Sequence, residues 1–162
     1  MQSKSFSLNI DNKIEPFIKS IKVDSDKSLS IRGFLIGSIS QNVSSLKNVL
    51  ESEDVLSAIL ALKKLGVKIK KVKSGSYRIF GKGLGSLFAK KNLKLNFGNS
   101  GTLARLLIGI LSTTPDVEIK IQGDRSLNKR SMKKLIELII AMKLLEEVAS
   151  GSSSSNGFST VA

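Results

Sequence analysis

The chain has 162 residues, a formal net charge of +13, 41% hydrophobic residues and 5% aromatic ones, which suits one ordinary domain or two small ones around an aliphatic core. It has no cysteine and no histidine, so disulfides, thiolate chemistry and a Ser-His hydrolase are excluded, and a metalloenzyme would lack its commonest ligand. The positive charge points to an anionic partner (nucleic acid, an anionic membrane or a phosphorylated small molecule), with a solvated lysine-rich surface as the plainer reading.

Residues 1–20 form an N-terminal segment in which a strand at Phe6–Ile10 fits. Met1–Ser7 shows no signal-peptide apolar stretch, and no apolar run nears the ~20 residues of a membrane span, so a cytoplasmic location is expected. A short strand at Ser20–Val23 ends at the polar turn Asp24-Ser25-Asp26. Leu29, Ile31, Phe34, Leu35 and Ile36 predict a helix from Ser28 to Ser38. Ser44–Val49 reads as a strand. Ser52 is placed as the N-cap of the next helix, with Glu53 and Asp54 complementing its dipole. Its apolar face is Val55, Leu56, Ile59, Leu60, Ala61 and Leu62, and Gly66 suits its C-terminal cap.

Val67–Val72 and Tyr77–Phe80 predict two strands joined at Ser74-Gly75-Ser76. The lysines from Lys68 to Lys73 roughly alternate with apolar residues, as on one wet face of a strand. Gly81-Lys82-Gly83-Leu84-Gly85 lacks the spacing of a dinucleotide or phosphate-binding loop and reads as a strand-end turn. Next come a strand at Asn92–Phe97, a helix at Thr102–Leu111 and a turn at Thr113–Asp116. A strand at Val117–Ile121, a loop at Gly123–Lys129 and a helix from Ser131 to Val148 complete the pattern. Residues 149–162 are serine- and glycine-rich without charge, and are expected to form a flexible tail.

This alternation predicts an α/β (α+β) fold built from repeated units over residues 21–148. Asp26-Lys27-Ser28-Leu29-x-x-Arg32 recurs as Asp124-Arg125-Ser126-Leu127-x-x-Arg130, either by chance or as two basic loops facing one anionic site. Gly98-Asn99-Ser100-Gly101-Thr102 leads straight into a helix carrying Arg105. Glycines let a ligand approach backbone N–H groups, and a helix start attracts anions. An ordinary strand–helix turn with an asparagine cap is the other reading. Lys27, Ser28 and Arg32 combine two cations and a hydroxyl at a helix start, where an exposed first turn would look the same.

Four motifs occur in the order found in 5-enolpyruvylshikimate-3-phosphate synthases, and the chain resembles that family from about Ser20 to Met142. They are Lys27-Ser28-x-Ser30-x-Arg32, Glu53-Asp54-Val55-Leu56, Gly98-Asn99-Ser100-Gly101-Thr102-x-x-Arg105 and Gly123-Asp124-x-Ser126-Leu127-x-x-Arg130. The related UDP-N-acetylglucosamine enolpyruvyl transferases resemble the first motif less well. The resemblance implies two domains of repeated βαβαββ units, an inside-out α/β barrel, with the substrates in the cleft between them. It implies transfer of the enolpyruvyl group of phosphoenolpyruvate to the 5-hydroxyl of shikimate 3-phosphate, in the shikimate pathway to chorismate and the aromatic amino acids, without a metal or organic cofactor.

By position, the resemblance makes Lys27, Ser28 and Arg32 shikimate 3-phosphate contacts. It places Lys27, Asn99, Gly101 and Arg130 on the phosphoenolpyruvate side, where glyphosate also binds, with Thr102 and Arg105 in support. The family's proton-handling acids would lie in a C-terminal part that this sequence does not contain. Ser131 and Leu106 stand where the family usually or often has proline. The expectation is therefore an N-terminal fragment of about two repeat units, inactive or a half-site alone. One alternative is half of a split synthase needing a second polypeptide, hinted at by Leu135, Leu138, Ile139 and Met142 on one face of the last helix. Another is a basic nucleic-acid-binding module, which the low aromatic content disfavours.

Overall fold

A computed structural model describes residues 23–115 and 117–150, with isolated positions at 9, 18 and 20, and only the backbone of residues 143–150. The strand expected at Phe6–Ile10, most of that at Ser20–Val23 and the tail from residue 151 lie outside the described residues. The first helix, α1 (Lys27–Ile39), starts where the Asp26 carboxylate accepts the Leu29 N–H at 2.7 Å. This satisfies one of the donors that a helix start leaves unpaired. Ile31, Phe34 and Leu35 bury its inner side.

β1 (Val43–Leu46) precedes α2 (Glu53–Lys64). α2 ends as its sequence predicts. Gly66 takes a φ of +85°, and the N–H groups of Gly66 and Val67 donate to the carbonyls of Lys63 and Leu62. Ser52 stands at the N-cap, yet its buried Oγ finds no hydrogen-bond partner among the described residues. Favourable charge at this helix start comes instead from Glu53 and Asp54.

β2 (Lys68–Lys73) and β3 (Ser76–Phe80) form the expected hairpin, and β3 lies centrally in an antiparallel sheet of order β1-β3-β2. The alternation expected along Lys68–Lys73 fails at its end. Register shifts between Lys71 and Lys73, so Ile69 is buried while Val72 is 63% exposed. Gly81 follows β3, and a Cβ there would collide with the Ser40 carbonyl and lie 2.7 Å from that of Gly37. Both obstacles are backbone, so only glycine lets this segment lie against the end of α1.

β4 (Leu93–Asn96) and β5 (Ile119–Gln122) are parallel and joined through α3 (Gly101–Ser112). The stretch Gly123–Lys129, expected as a loop, contains one helical turn, α4 (Arg125–Asn128). Asp124 caps it, accepting the Leu127 N–H at 2.7 Å. α5 (Lys133–Ser150) follows and runs two residues into the segment expected to be a tail. Leu135 and Ile139 on α5 are half-buried, whereas Leu138 and Met142 are exposed.

The order α1-β1-α2-β2-β3 supplies five elements of a βαβαββ unit, and β4-α3-β5-α5 supplies the first four of another. The recurring Asp-x-Ser-Leu-x-x-Arg motif does not mark this repeat. Asp26 precedes the first helix of its unit, whereas Asp124 precedes the second long helix of the other. What the two copies share is local: an aspartate cap on the third following residue.

One core joins both units. α1 packs on α2, β3 and α3, and α2 packs on β2 and β4. Phe34 is fully buried and meets the Tyr77 ring edge-on, with centroids 5.2 Å apart. Two polar links fasten the connection between β1 and α2. The Ser30 Oγ donates to the Asp26 carbonyl at 2.7 Å and accepts the Leu50 N–H at 3.0 Å. The Glu51 carboxylate accepts from Lys71 at 2.7 Å, the Gly75 N–H at 2.9 Å and the Tyr77 hydroxyl at 2.8 Å.

These donors, Lys71 first, hold the Glu51 carboxyl at about 2, below its ordinary 4.5. Phe34→Ala is expected to cost about 3–5 kcal/mol in urea unfolding, because it empties a buried ring site. A carboxyl with a lowered folded pKa stabilises above its unfolded pKa and loses that contribution as pH falls through the folded one. The Glu51 contribution is therefore present above about 4.5 and fades towards pH 2. Glu51→Gln is expected to lower the thermal midpoint at pH 7 and to flatten its fall over that window.

Candidate functional site

Parallel pairing sets the geometry. With β4 and β5 side by side, the turn after each strand emerges at the same end of the sheet. The Phe97 N–H donates to the Gln122 carbonyl, and the Asp124 N–H donates to the Gly98 carbonyl, both at 2.9 Å. The Gly98–Gly101 turn and α4 thus lie against each other. Gly98 takes a φ of +54°, the left-handed conformation that glycine adopts without strain.

The helix α3 is capped by Ser100, not by Asn99. The Ser100 Oγ accepts the Leu103 N–H at 3.3 Å. The Asn99 side chain is thereby free for another partner, and its Oδ1 accepts from Arg130 Nη2 at 2.6 Å. The same nitrogen donates to the Ser126 Oγ at 3.3 Å, one turn back along the chain. The guanidinium lies over the first residue of α3. A Cβ on Gly101 would sit 2.7 Å from Arg130 Nη1 and 3.4 Å from Arg105 Nη1. Asn99, Gly101, Arg105 and Arg130 therefore form one cluster.

Thr102 is half-buried in the first turn of α3. Arg125, Ser126, Lys129 and Arg130 line a shallow depression beside Asp124. Among the described residues, no group of three or more aspartates or glutamates is placed to hold a metal ion.

Lys27, Ser28 and Arg32 sit on the first two turns of α1. Ser28 and Arg32 are four residues apart and share a face. Neither makes a side-chain hydrogen bond or ion pair among the described residues. Lys27 pairs with Asp54 of α2, Nζ to Oδ2 at 2.7 Å. Three residues along α2, the Ser57 Oγ lies 3.3 Å from where a Cβ on Gly98 would stand. The start of α2 therefore touches both Lys27 and the Asn99 turn, which brings the two basic groups to neighbouring points of one helix.

Asp54 and Ser126 occur within the motifs, but nothing in the sequence assigns either a part in the site. Asp54 was legible only as a dipole-complementing residue. Ser126 stands four residues before Arg130 in a stretch expected to be a loop, so the i, i+4 relation had no helix to act through.

The family model for EPSP synthase (3-phosphoshikimate 1-carboxyvinyltransferase) matches residues 12–151. The chain belongs to the EPSP synthase family. It is 39% identical over 128 residues to a 3-phosphoshikimate 1-carboxyvinyltransferase of Syntrophomonas wolfei, covering 79% of this chain and 29% of that protein. It is 39% identical over 124 residues to that of Leptospira interrogans, covering 76% and 28%. The solved EPSP synthase from Acinetobacter baumannii superposes with a TM-score of 0.69 at 36% identity, covering 76% of this chain and 28% of that one. The α/β architecture read from the sequence is thus that of the family, in part. The chain spans less than a third of the length of these relatives.

The aspartate cap is what turns α4 towards the Asn99 turn. Asp124→Ala is expected to lower stability by about 1 kcal/mol in urea unfolding, the usual cost of a lost cap. It should also loosen Arg130 from Asn99, read as a shift of the Arg130 side-chain resonances in NMR. Asp26→Ala should cost a similar amount without moving Arg130.

Proposed function

We propose that this chain supplies part of the site of an enzyme that transfers the enolpyruvyl group of phosphoenolpyruvate to the 5-hydroxyl of shikimate 3-phosphate, with release of phosphate. One observation carries the reading: Arg130 lies over the first residue of α3 and is bonded to Asn99. A guanidinium, an amide and the first turn of a helix, where the Thr102 N–H has no hydrogen-bond partner among the described residues, come together there, a combination suited to a small molecule bearing phosphate and carboxylate. In this reading Asn99, Gly101 and Arg130 hold phosphoenolpyruvate, with Thr102 and Arg105 behind them.

Lys27, Ser28 and Arg32 hold shikimate 3-phosphate. Lys27 serves both substrates in this reading, and Asp54 steadies its ammonium. Addition followed by elimination of phosphate needs cations fixed beside the charge that develops. This chain provides such cations; the proton-handling acids belong to the remainder of the fold. The reading needs no metal or organic cofactor. A cytoplasmic location belongs to the same proposal and rests on the family. Residues 21–148 then act as one partial transferase domain.

Calorimetric titration with shikimate 3-phosphate is expected to show weak saturable binding. Lys27→Ala and Arg32→Ala should each weaken it by about tenfold or more, since a charge-assisted contact contributes roughly 1.5–3 kcal/mol. Binding unaffected by either change would contradict the assignment. Gly101→Ala meets only the flexible ends of two arginines, so stability should change by under about 1 kcal/mol while phosphoenolpyruvate binding falls. The chain alone should release no phosphate from the two substrates, and detectable turnover would contradict the half-site reading.

A further inference from the structure

We infer that the segment between β3 and β4 is a peripheral membrane-docking loop. Leu84 and Phe88 enter the headgroup region of an anionic bilayer, and the lysines around them contact its phosphates. This surface is separate from the substrate reading and does not rest on it. The starting point is how unevenly the charge is spread. Twelve of the 26 lysines and arginines, and none of the 13 acids, lie between Asp54 and Asp116, so the rest of the chain is nearly neutral. Attraction to an anionic surface reaches only about a Debye length, roughly 8 Å in physiological salt, so cations count where they cluster.

The loop holds two apolar side chains outward. Gly83 and Gly85, with φ of +88° and +72°, flank Leu84. The Ser86 N–H closes this turn by donating to the Gly83 carbonyl at 3.4 Å. Leu84, in the turn, is 68% exposed. Leu87 takes a core position, whereas its neighbour Phe88 is 62% exposed. The Phe88 N–H donates at 3.1 Å to the carbonyl of Leu65, the last cap of α2. Lys82, Lys90 and Lys91 belong to the same loop and are exposed. Lys63 and Lys64 end α2 beside Leu65, and the Lys64 Nζ reaches the Lys94 carbonyl at 3.2 Å. Among the described residues, no acid pairs with any of these lysines.

Other polyanions fit this surface less well. Single-stranded nucleic acid is held by stacking its bases on aromatic rings. Phe34, Tyr77 and Phe97 are buried, and the Phe80 ring lies under Lys68 and Lys70, which leaves Phe88 alone among the described residues. An acidic protein would need a continuous surface of about 800 Å², but Leu84 and Phe88 stand on a turn and its flank. An apolar turn ringed by lysines matches the layers of an anionic membrane. Aliphatic and aromatic groups sit below the phosphates there, and ammonium groups reach up to them.

The test mixes the full chain with vesicles of phosphatidylcholine, alone or with an equal part of phosphatidylserine, and reads the bound fraction by sedimentation. The chain should bind the anionic vesicles only, and less as salt rises. Leu84→Ser and Phe88→Ser should each weaken binding by about tenfold, as should Lys90→Glu combined with Lys91→Glu. The loop meets α1 at Ser38, whose carbonyl accepts the Lys82 N–H. Leu29→Ser, at a residue 65% exposed on the far end of that helix, should change nothing. Phe88→Trp should bind like the parent chain, and its fluorescence should shift to the blue on anionic vesicles as the indole leaves water. Circular dichroism checks that each variant, altered at an exposed position, keeps its fold. Absence of binding, binding indifferent to Leu84 and Phe88, or an unshifted tryptophan overturns the inference. So does capture of single-stranded RNA with the same dependence on Leu84 and Phe88. Shikimate 3-phosphate titrations of the two serine variants should match that of the unaltered chain, so docking and the functional reading fail separately.

Discussion

The contact between Arg130 and Asn99 joins residues 31 positions apart in the chain, and the rest of the candidate site depends on it. It requires β4 and β5 to run parallel, so that their following turns meet. Ser100 must take the helix cap, which leaves Asn99 free. Asp124 must nucleate α4, so that Arg130 leaves it pointing back at α3. Position 101 must lack a side chain, because the guanidinium occupies the space a methyl group would fill. The last three conditions are local, each written in a different few residues, whereas the pairing of β4 with β5 is tertiary.

The first unit carries Lys27, Ser28 and Arg32 on α1 and also braces the site. α2 reaches Lys27 through Asp54 and the Asn99 turn through Ser57, so its placement sets the spacing of the two basic groups. That placement is fixed from behind by Ser30 and Glu51, which fasten the segment before α2 to α1 and to the β2–β3 turn. Glu51 is charged and only partly covered, and its three donors hold its pKa well below the usual carboxylate range. Two cations near the site are likewise held in place by acids: Lys27 by Asp54 directly, Arg130 through the cap at Asp124. The large positive charge of the chain is therefore of two kinds. Lys68 and Lys70 on β2 lie over the Phe80 ring and guard a sheet edge, while Lys27 and Arg130 are oriented by specific partners.

Much of the fold was legible in the sequence because the signals were local. The Gly66 cap, the Ser74-Gly75 hairpin and the burial of Val55, Ile59, Ala61 and Leu62 on α2 follow from a few adjacent residues each, whereas Leu56 and Leu60, expected on the same apolar face, are exposed. The departures arise where a local pattern meets a tertiary partner. A single turn such as α4 is too short to show apolar periodicity and is betrayed only by the aspartate before it. Asn99 and Ser100 are both good caps, and the choice between them is settled by Arg130, which is remote in sequence. Val72 leaves the alternation because β2 shifts register against β3. The recurring aspartate motif looked like an echo of the structural repeat, but a cap can stand before any helix. Nothing in the sequence pairs Lys27 with Asp54, since that contact depends on how α1 crosses α2.

The central claim is that Asn99 and Arg130 act as one ligand-holding unit. A double-mutant cycle on phosphoenolpyruvate affinity, using Asn99→Ala, Arg130→Ala and the pair, tests it most directly, in the presence of saturating shikimate 3-phosphate. The account predicts strong non-additivity: either change alone should remove most of what the two remove together, with a coupling of about 1 kcal/mol or more. Additive losses, or affinities that neither change alters, would contradict it.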